Sequence, residues 1–252
     1  MTATARSGWR KRHAANPERE HLRARLLIVA LPASIFATPL AQAQVAGRVS
    51  IDSQYRSRGY QITEPSPVLT AAISYDHSSG TYASAVVIAG AQGSEIGVAG
   101  YEANIGYAAR VTRALSIEAG VQRTAYARRT GGPLGLAYTE LYAGLTFHAI
   151  TARVYYSPDY LRPDRRTLYA EVEGSVRVLP KLNFNAHVGA LTDLGTPPPF
   201  IARSRIDWRA TVSRSLGPFE IYASLSGRGP GADYYARTKG RTIATFGAAF
   251  SF

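Results

Sequence analysis

Acidic and basic side chains recur at two-residue spacing in this sequence, as in Glu171 with Glu173 and Asp207 with Arg209. Residues at positions i and i+2 of an extended chain lie on the same face, so each pair projects from one side of a strand. Opposed rows of carboxylates and guanidinium groups could create a transverse field that orients dipolar solutes in a constriction. The same groups could instead form salt bridges that fill and brace a closed interior. The spacing leaves both alternatives open.

Three histidines beyond residue 43, at positions 77, 148 and 187, are the only imidazole bases there. His77 and His148 fall in or beside predicted turns, and His187 has no obvious nucleophile on its own face. Nucleophilic catalysis needs a nucleophile, a base and an orienting group within hydrogen-bond reach. We therefore predict no catalytic residues, although a serine beside His187 would favour an outer-membrane enzyme. No His, Asp and Glu set has metal-ligand spacing, so we predict no metal and no cofactor.

Twelve segments in which apolar and polar residues alternate must position these side chains, because a period of two is typical of β-strands. Tight connections such as HSSG at 77–80 alternate with long polar ones such as SPDYLRPDRR at 157–166. The connection AQGSE at 91–95 is the exception, because it should be long and is short. The predicted strands are 48–57, 68–76, 81–90, 96–109, 115–126, 138–148, 151–157, 167–178, 182–191, 204–214, 219–227 and 242–252.

The two faces of these strands differ in character. In the strand 167–178, Glu171, Glu173 and Arg177 share one face and Val172 and Val176 share the other. Aromatic residues cluster near the ends of the apolar face, at Tyr75, Tyr107, Phe147, Tyr156, Phe184 and Phe219. We predict an all-β fold, a transmembrane antiparallel up-and-down β-barrel of about 12 strands with a polar lumen. A soluble periplasmic β-sandwich shows the same period with its faces reversed and is the alternative.

Both ends of the chain favour the outer membrane. A basic stretch, an apolar run from residue 26 to about 40 and the triplet Ala41-Gln42-Ala43 predict a signal peptide over residues 1–43. The barrel is then predicted over 44–252, and its last strand ends on an outward aromatic residue, Phe252. A terminal strand of this kind resembles the signal read by the outer-membrane barrel assembly machinery. We expect outer-membrane lipid and lipopolysaccharide as the surroundings.

Charge and cysteine content exclude other classes of protein. Without the predicted leader's seven basic and two acidic residues, the net charge falls from +12 to +7. Lysine is scarce and no basic helix is present, so we predict no nucleic-acid partner. The absence of cysteine excludes a disulfide framework and a thiolate zinc site.

The strand polarity predicts which side chains line the lumen. The predicted pore-lining residues are Asp52, Arg56, Glu102, Asn104, Glu118, Glu140, Arg153, Glu171, Glu173, Arg177, His187, Asp207 and Arg209. Seven of them are expected near mid-height: Asp52, Glu102, Glu171, Glu173, His187, Asp207 and Arg209. The predicted function is a porin-like barrel for passive passage of small hydrophilic solutes or ions, and a closed structural barrel is the alternative. Inward basic and acidic residues, eight and nine in this register, nearly balance and indicate no ion preference.

The long connections are rich in arginine. Guanidinium forks match the geometry of phosphate, so these connections are expected to contact lipopolysaccharide phosphates, or else to form an ordinary solvated surface. Their basic residues are Arg128, Arg129, Arg162, Arg165, Arg166, Arg203, Arg228, Arg237 and Lys239. Their acidic residues are Glu64, Asp159, Asp164, Asp193 and Asp233.

Three motifs carry a resemblance to a known family: Tyr55-Arg56-x-Arg58-Gly59, Ser79-Gly80-x-Tyr82 and Tyr155-Tyr156-Ser157-Pro158-Asp159-Tyr160. With them, most of residues 45–252 resembles the TorF-type porin family, also known as the Gcw-chp family of unknown function. The resemblance implies an outer-membrane barrel that passes small solutes. It brings no catalytic residues to this sequence.

Overall fold

The computed structural model describes residues 44–252 except 64–65, 93–94, 128–133, 197–201 and 230–241. Twelve antiparallel strands close into a barrel in which strands consecutive along the wall are paired and the last pairs with the first. The predicted all-β barrel of 12 strands is thus confirmed. The barrel strands are β1 (Gln44–Asp52), β4 (Val68–Asp76), β5 (Thr81–Gln92), β6 (Glu95–Arg110), β7 (Leu115–Ala127), β8 (Leu134–Phe147), β9 (Ile150–Ser157), β10 (Thr167–Leu179), β11 (Leu182–Asp193), β12 (Ser204–Leu216), β13 (Phe219–Arg228) and β14 (Ile243–Ser251). Two short strands, β2 (Arg56–Ser57) and β3 (Tyr60–Gln61), form a separate hairpin.

The apolar face of the barrel points outward. On β8, Leu141 and Leu145 are about half exposed, whereas Glu140 and Tyr142 on the opposite face are buried. The six aromatic residues predicted at the ends of the apolar face are all exposed as well. A water-soluble sandwich would bury the leucines and expose the glutamate, so this distribution excludes the sandwich and fits a barrel surrounded by lipid. Among the described residues, no helix has the length and apolar character needed to span a membrane.

Backbone pairing between β1 and β14 closes the barrel, from Arg48 opposite Ser251 to Asp52 opposite Gly247. Phe252 extends this seam, because its backbone exchanges two hydrogen bonds with Gly47 at 2.8 and 2.9 Å. The Phe252 ring lies against Gly47 so closely that a Cβ there would stand 2.5 Å from it. The ring is 67% exposed and points outward. The last aromatic residue therefore belongs to the apolar exterior and covers the seam.

One predicted strand, 48–57, is wrong at its C-terminal end. The wall strand β1 runs from Gln44 to Asp52, and residues 53–63, called here the lumen hairpin, fold inward. Arg58 and Gly59 have φ angles of 48° and 74°, and positive φ at both central residues defines a two-residue type I′ turn. The amide of Ile62 donates to the carbonyl of Tyr55 at 3.0 Å, which closes the hairpin. The other eleven predicted strands agree with the observed bounds to within four residues.

Candidate functional site

The barrel encloses a cavity of about 520 Å³ lined mainly by polar side chains from the wall and the lumen hairpin. Of the predicted pore-lining residues, the following line it: Asp52, Arg56, Glu102, Asn104, Glu118, Arg153, Glu171, Glu173, His187, Asp207 and Arg209. Their convergence follows from strand alternation, which turns every second side chain of each wall strand inward. The cavity is the candidate functional site.

Three predicted pore-lining residues are placed differently from expectation. Arg56 reaches the cavity from the lumen hairpin and not from a wall strand. Glu140 faces inward but is covered by Arg58, which leaves its side chain 1% exposed. Arg177 is exposed and lies outside the cavity lining, because β10 ends two residues later at the tight turn into β11. The sequence pattern predicted that these side chains point inward. It did not predict which element carries Arg56, or that Glu140 and Arg177 lie outside the cavity lining.

An arginine of the hairpin turn bridges the lumen. Arg58 Nη1 and Nη2 donate to the two carboxylate oxygens of Glu140 at 2.8 and 2.6 Å. Glu140 belongs to β8, which stands five places from β1 in the circular order of barrel strands. The hairpin therefore leaves the wall at β1 and is anchored almost opposite its origin. A bidentate pair of this kind fixes geometry as well as charge.

Four tyrosine rings surround the Arg58 guanidinium group. Its Cζ atom lies 4.0 Å from the ring centre of Tyr169, and at 5.2, 5.6 and 5.8 Å from those of Tyr155, Tyr160 and Tyr138. Burial by itself lowers the pKa of Arg58, but Glu140, Tyr138 and Tyr160 together more than offset this, so its pKa lies well above the ordinary value. Arg58 therefore stays charged, and cation–π contacts add to its ion pair.

The tip of the lumen hairpin also contacts the wall at β12 and β13. A Cβ added to Gly59 would lie 2.9 Å from Cβ of Asp207 on β12 and 3.0 Å from Cβ of Arg228 on β13. The Tyr60 ring lies near two guanidinium groups, with Arg205 at 5.3 Å and Arg228 at 5.9 Å from its centre. Because residues of β8, β12 and β13 all contact the hairpin, it is held in a fixed position across the lumen.

The wall from β5 to β10 carries a continuous polar network. Arg153 donates to Glu118 at 2.6 Å and lies 3.9 Å from Glu171. The hydroxyl of Tyr82 contacts Glu118 and the hydroxyl of Tyr142, each at 2.7 Å. In each of these pairs the two side chains fix each other's position, as expected for an interior stabilised by a polar network. Part of the predicted charge rows is therefore used to stabilise the wall.

His187 hydrogen-bonds to a carboxylate and a phenol in the lumen. Its Nε2 atom is 3.0 Å from Asp207 and 3.1 Å from the hydroxyl of Tyr169, and its Nδ1 atom is 3.8 Å from Glu171. In the described part of the chain, no serine or threonine hydroxyl hydrogen-bonds to this imidazole. The geometry therefore gives the enzyme alternative no support.

The cavity also contains charged groups that are paired at longer distances and are more exposed to water. Arg209 Nη2 lies 3.9 Å from Glu173, and these side chains are 49% and 23% exposed. Asp52 accepts hydrogen bonds from Ser50 and Tyr222. These groups face the water-accessible part of the lumen and are within reach of a solute.

Lumen tyrosines are the functional residues that the charge-based prediction missed. Tyr82, Tyr142, Tyr155 and Tyr169 line the cavity, and all four are buried. A Cβ on Gly189 would overlap the Tyr169 hydroxyl, so this ring packs against a neighbouring strand that has no side chain there. The sequence contained this signal for Tyr142, Tyr155 and Tyr169, which lie on the charged face of their strands, but not for Tyr82, because β5 carries no charge.

At the loop end, one expected phosphate-binding arginine is buried. Arg165 donates two hydrogen bonds of 2.8 Å to Asp193, and the two side chains are 2% and 4% exposed. The expectation for Arg165 is therefore corrected, since its guanidinium group cannot reach lipid phosphates. Arg166 and Arg203 are exposed. Arg128, Arg129, Arg237 and Lys239 lie outside the described residues.

The apolar exterior, charged interior and closed 12-strand wall define this chain as a porin-like β-barrel of the outer-membrane type. The chain belongs to the Gcw_chp family, described as a bacterial protein of unknown function, which matches residues 36–249. This confirms the Gcw-chp part of the resemblance. No curated protein sequence matches the chain.

Solved outer-membrane barrels share this fold at low sequence identity. The NanC porin in a rhombohedral crystal form has 9% identity and a TM-score of 0.52, over 82% of this chain and 99% of its own. The COG4313 outer membrane channel from Pseudomonas putida F1 has 13% identity and a TM-score of 0.51, over 87% and 98%. The KdgM porin in complex with disordered oligogalacturonate has 12% identity and a TM-score of 0.50, over 84% and 99%. The likeness concerns the fold.

Proposed function

We propose that this protein is an outer-membrane channel for passive passage of small hydrophilic solutes or ions, with the lumen hairpin narrowing the path. The observation that carries the proposal is the cavity of about 520 Å³ inside a closed barrel, which remains with the hairpin in place. Its lining is polar and includes the half-exposed Arg209. Side chains of this kind replace part of the hydration shell of a passing solute.

The proposed location follows from the exterior. A belt of exposed aliphatic and aromatic side chains needs a lipid environment, and the strands that carry it cross a bilayer when tilted. Phe252, exposed at the end of the closing strand, supports recognition by the barrel assembly machinery. Exposed Arg166 and Arg203 support contact with lipopolysaccharide phosphates at the loop end. We also propose that this chain is a porin of the TorF type.

A closed structural barrel is the second candidate, and the lumen hairpin favours it. The Arg58 pair and the Arg153 network fill part of the interior with mutually satisfied charges, as in small plugged barrels. The two candidates differ in one measurable property, namely whether water and ions cross the folded barrel.

Planar-bilayer recording of the purified mature barrel tests the proposal. We expect discrete conductance steps, and liposome swelling that falls as neutral sugars of increasing mass are supplied. The control is the same protein after heating until its folded-barrel mobility in gels is lost. A silent bilayer at high concentrations of folded protein would contradict the channel and favour the structural barrel.

A further inference from the structure

The lumen contains more negative than positive charge once its ion pairs are located. Within the described residues, the cavity lining provides seven carboxylates against five guanidinium groups, a formal charge of −2. Protonation of His187 would reduce this charge but would not change its sign. The near balance expected from sequence does not hold, because several inward arginines lie away from the cavity.

Most of the positive charge in the cavity is already neutralised by salt bridges. Arg48 pairs with Glu220 at 2.9 Å, and Arg58, Arg153 and Arg209 each have a carboxylate partner. An arginine held in a salt bridge contributes little field at a distance, since the two charges largely cancel. The surplus is therefore borne by carboxylates that lack such a partner.

Asp52 and Glu102 are two such carboxylates. Neither forms a salt bridge in the described part of the barrel, and both line the cavity. They flank the base of the lumen hairpin, where burial and the nearby charges of Glu102 and Asp52 raise the pKa of Tyr55 above its ordinary value, although Arg209 opposes them. The phenol of Tyr55 is thus neutral and adds no charge beside these two carboxylates.

We propose that this lumen selects cations, with Asp52 and Glu102 as its specificity-determining residues. The inference rests on the proposed channel function. The solutes that it favours are small monovalent cations and organic molecules bearing an ammonium or guanidinium group. Carboxylates that face a confined aqueous path raise the local concentration of cations and exclude anions.

Reversal potentials in a potassium chloride gradient across planar bilayers test this selectivity with the full mature barrel. We expect a cation-to-anion permeability ratio above one for the wild type. The Asp52→Asn/Glu102→Gln double variant should lower that ratio by roughly fivefold, which corresponds to about 1 kcal/mol, the interaction of two unit charges 4 Å apart in water. Raising the salt concentration should weaken the preference through screening.

Asp76→Asn is the matched control, because Asp76 lies exposed at the turn end of β4, outside the cavity lining. Its permeability ratio should equal that of the wild type. Each variant is first shown to migrate as a folded barrel, and swelling of liposomes in ammonium and carboxylate solutes provides a second measurement. Conduction with anion selectivity, or a ratio unchanged in the double variant, would overturn the inference and leave the channel intact. A silent bilayer would overturn both.

Discussion

Two ion pairs in the same lumen differ sharply in geometry and exposure. The pair between Arg58 and Glu140 is bidentate, with donor–acceptor distances of 2.8 and 2.6 Å and side chains 9% and 1% exposed. The pair between Arg209 and Glu173 is 3.9 Å long, with side chains 49% and 23% exposed. Burial, and not charge type, therefore separates the groups that stabilise this barrel from those that can contact a solute.

The physical consequence is a difference in energy. Removing one partner of a buried pair leaves an uncompensated charge and costs about 3–5 kcal/mol. An exposed pair contributes only about 0–1 kcal/mol, because water solvates both partners and salt screens them. Substitution at the buried pair should therefore affect stability more than permeation. Substitution at the exposed pair should affect permeation more than stability.

The largest expected effect is that of Arg58→Ala. This variant leaves Glu140 buried beneath the hairpin without its guanidinium partner, so we expect the free energy of unfolding to fall by about 3–5 kcal/mol. Denaturant unfolding in lipid vesicles can be followed by the fluorescence of Trp208, the only tryptophan beyond the predicted leader. Arg58→Ala/Glu140→Ala is the control and should lose less than the single variant. A single variant as stable as the wild type would show that the buried pair does not brace the barrel.

A second buried pair, at the loop end, extends the comparison to neighbouring residues. Arg165→Ser breaks the pair with Asp193 and should cost about 3 kcal/mol. Arg166→Ser is the matched control, since it makes the same change at the next, exposed position and should stay within about 0.5 kcal/mol of wild type. Unfolding and protease cleavage of the 158–166 connection measure both. Equal behaviour of the two variants would remove burial as the explanation.

How far the sequence predicted this molecule depended on the range of the interactions involved. The wall strands were predictable because lipid on one side and water on the other impose a local alternation, which β4 follows from Val68 to Asp76. The lumen hairpin was not, because Gln54 and Arg56 continue the polar face of β1 in the sequence. Its inward fold depends on Glu140, which lies 82 residues from Arg58.

The candidate site shows the same limit. Alternation placed Glu171 and Asp207 on the inner face, as the cavity lining has them. It could not predict which carboxylates acquire arginine partners, because those partners lie on strands distant in sequence. For the same reason the burial of Arg165, whose partner is 28 residues away, was not visible in the pattern.

The smallest effect on stability is expected for Arg209→Ala, with a loss of at most about 1 kcal/mol because its pair with Glu173 is half exposed. The same variant should change single-channel current, since the guanidinium group faces the cavity. Glu173→Gln is the companion variant and should be as stable as the wild type within the same limit. A loss as large as that of Arg58→Ala would remove the distinction between the two pairs.

The proposed channel requires that water-filled space crosses this barrel and that the lumen hairpin narrows it. Single-channel recording of the wild type beside Arg58→Ala/Glu140→Ala, which frees the hairpin without leaving a buried charge, tests it most directly. We predict conductance steps for the wild type and larger steps for the double variant. The absence of conductance steps from both proteins, when both migrate as folded barrels, would contradict a water-filled path through the barrel.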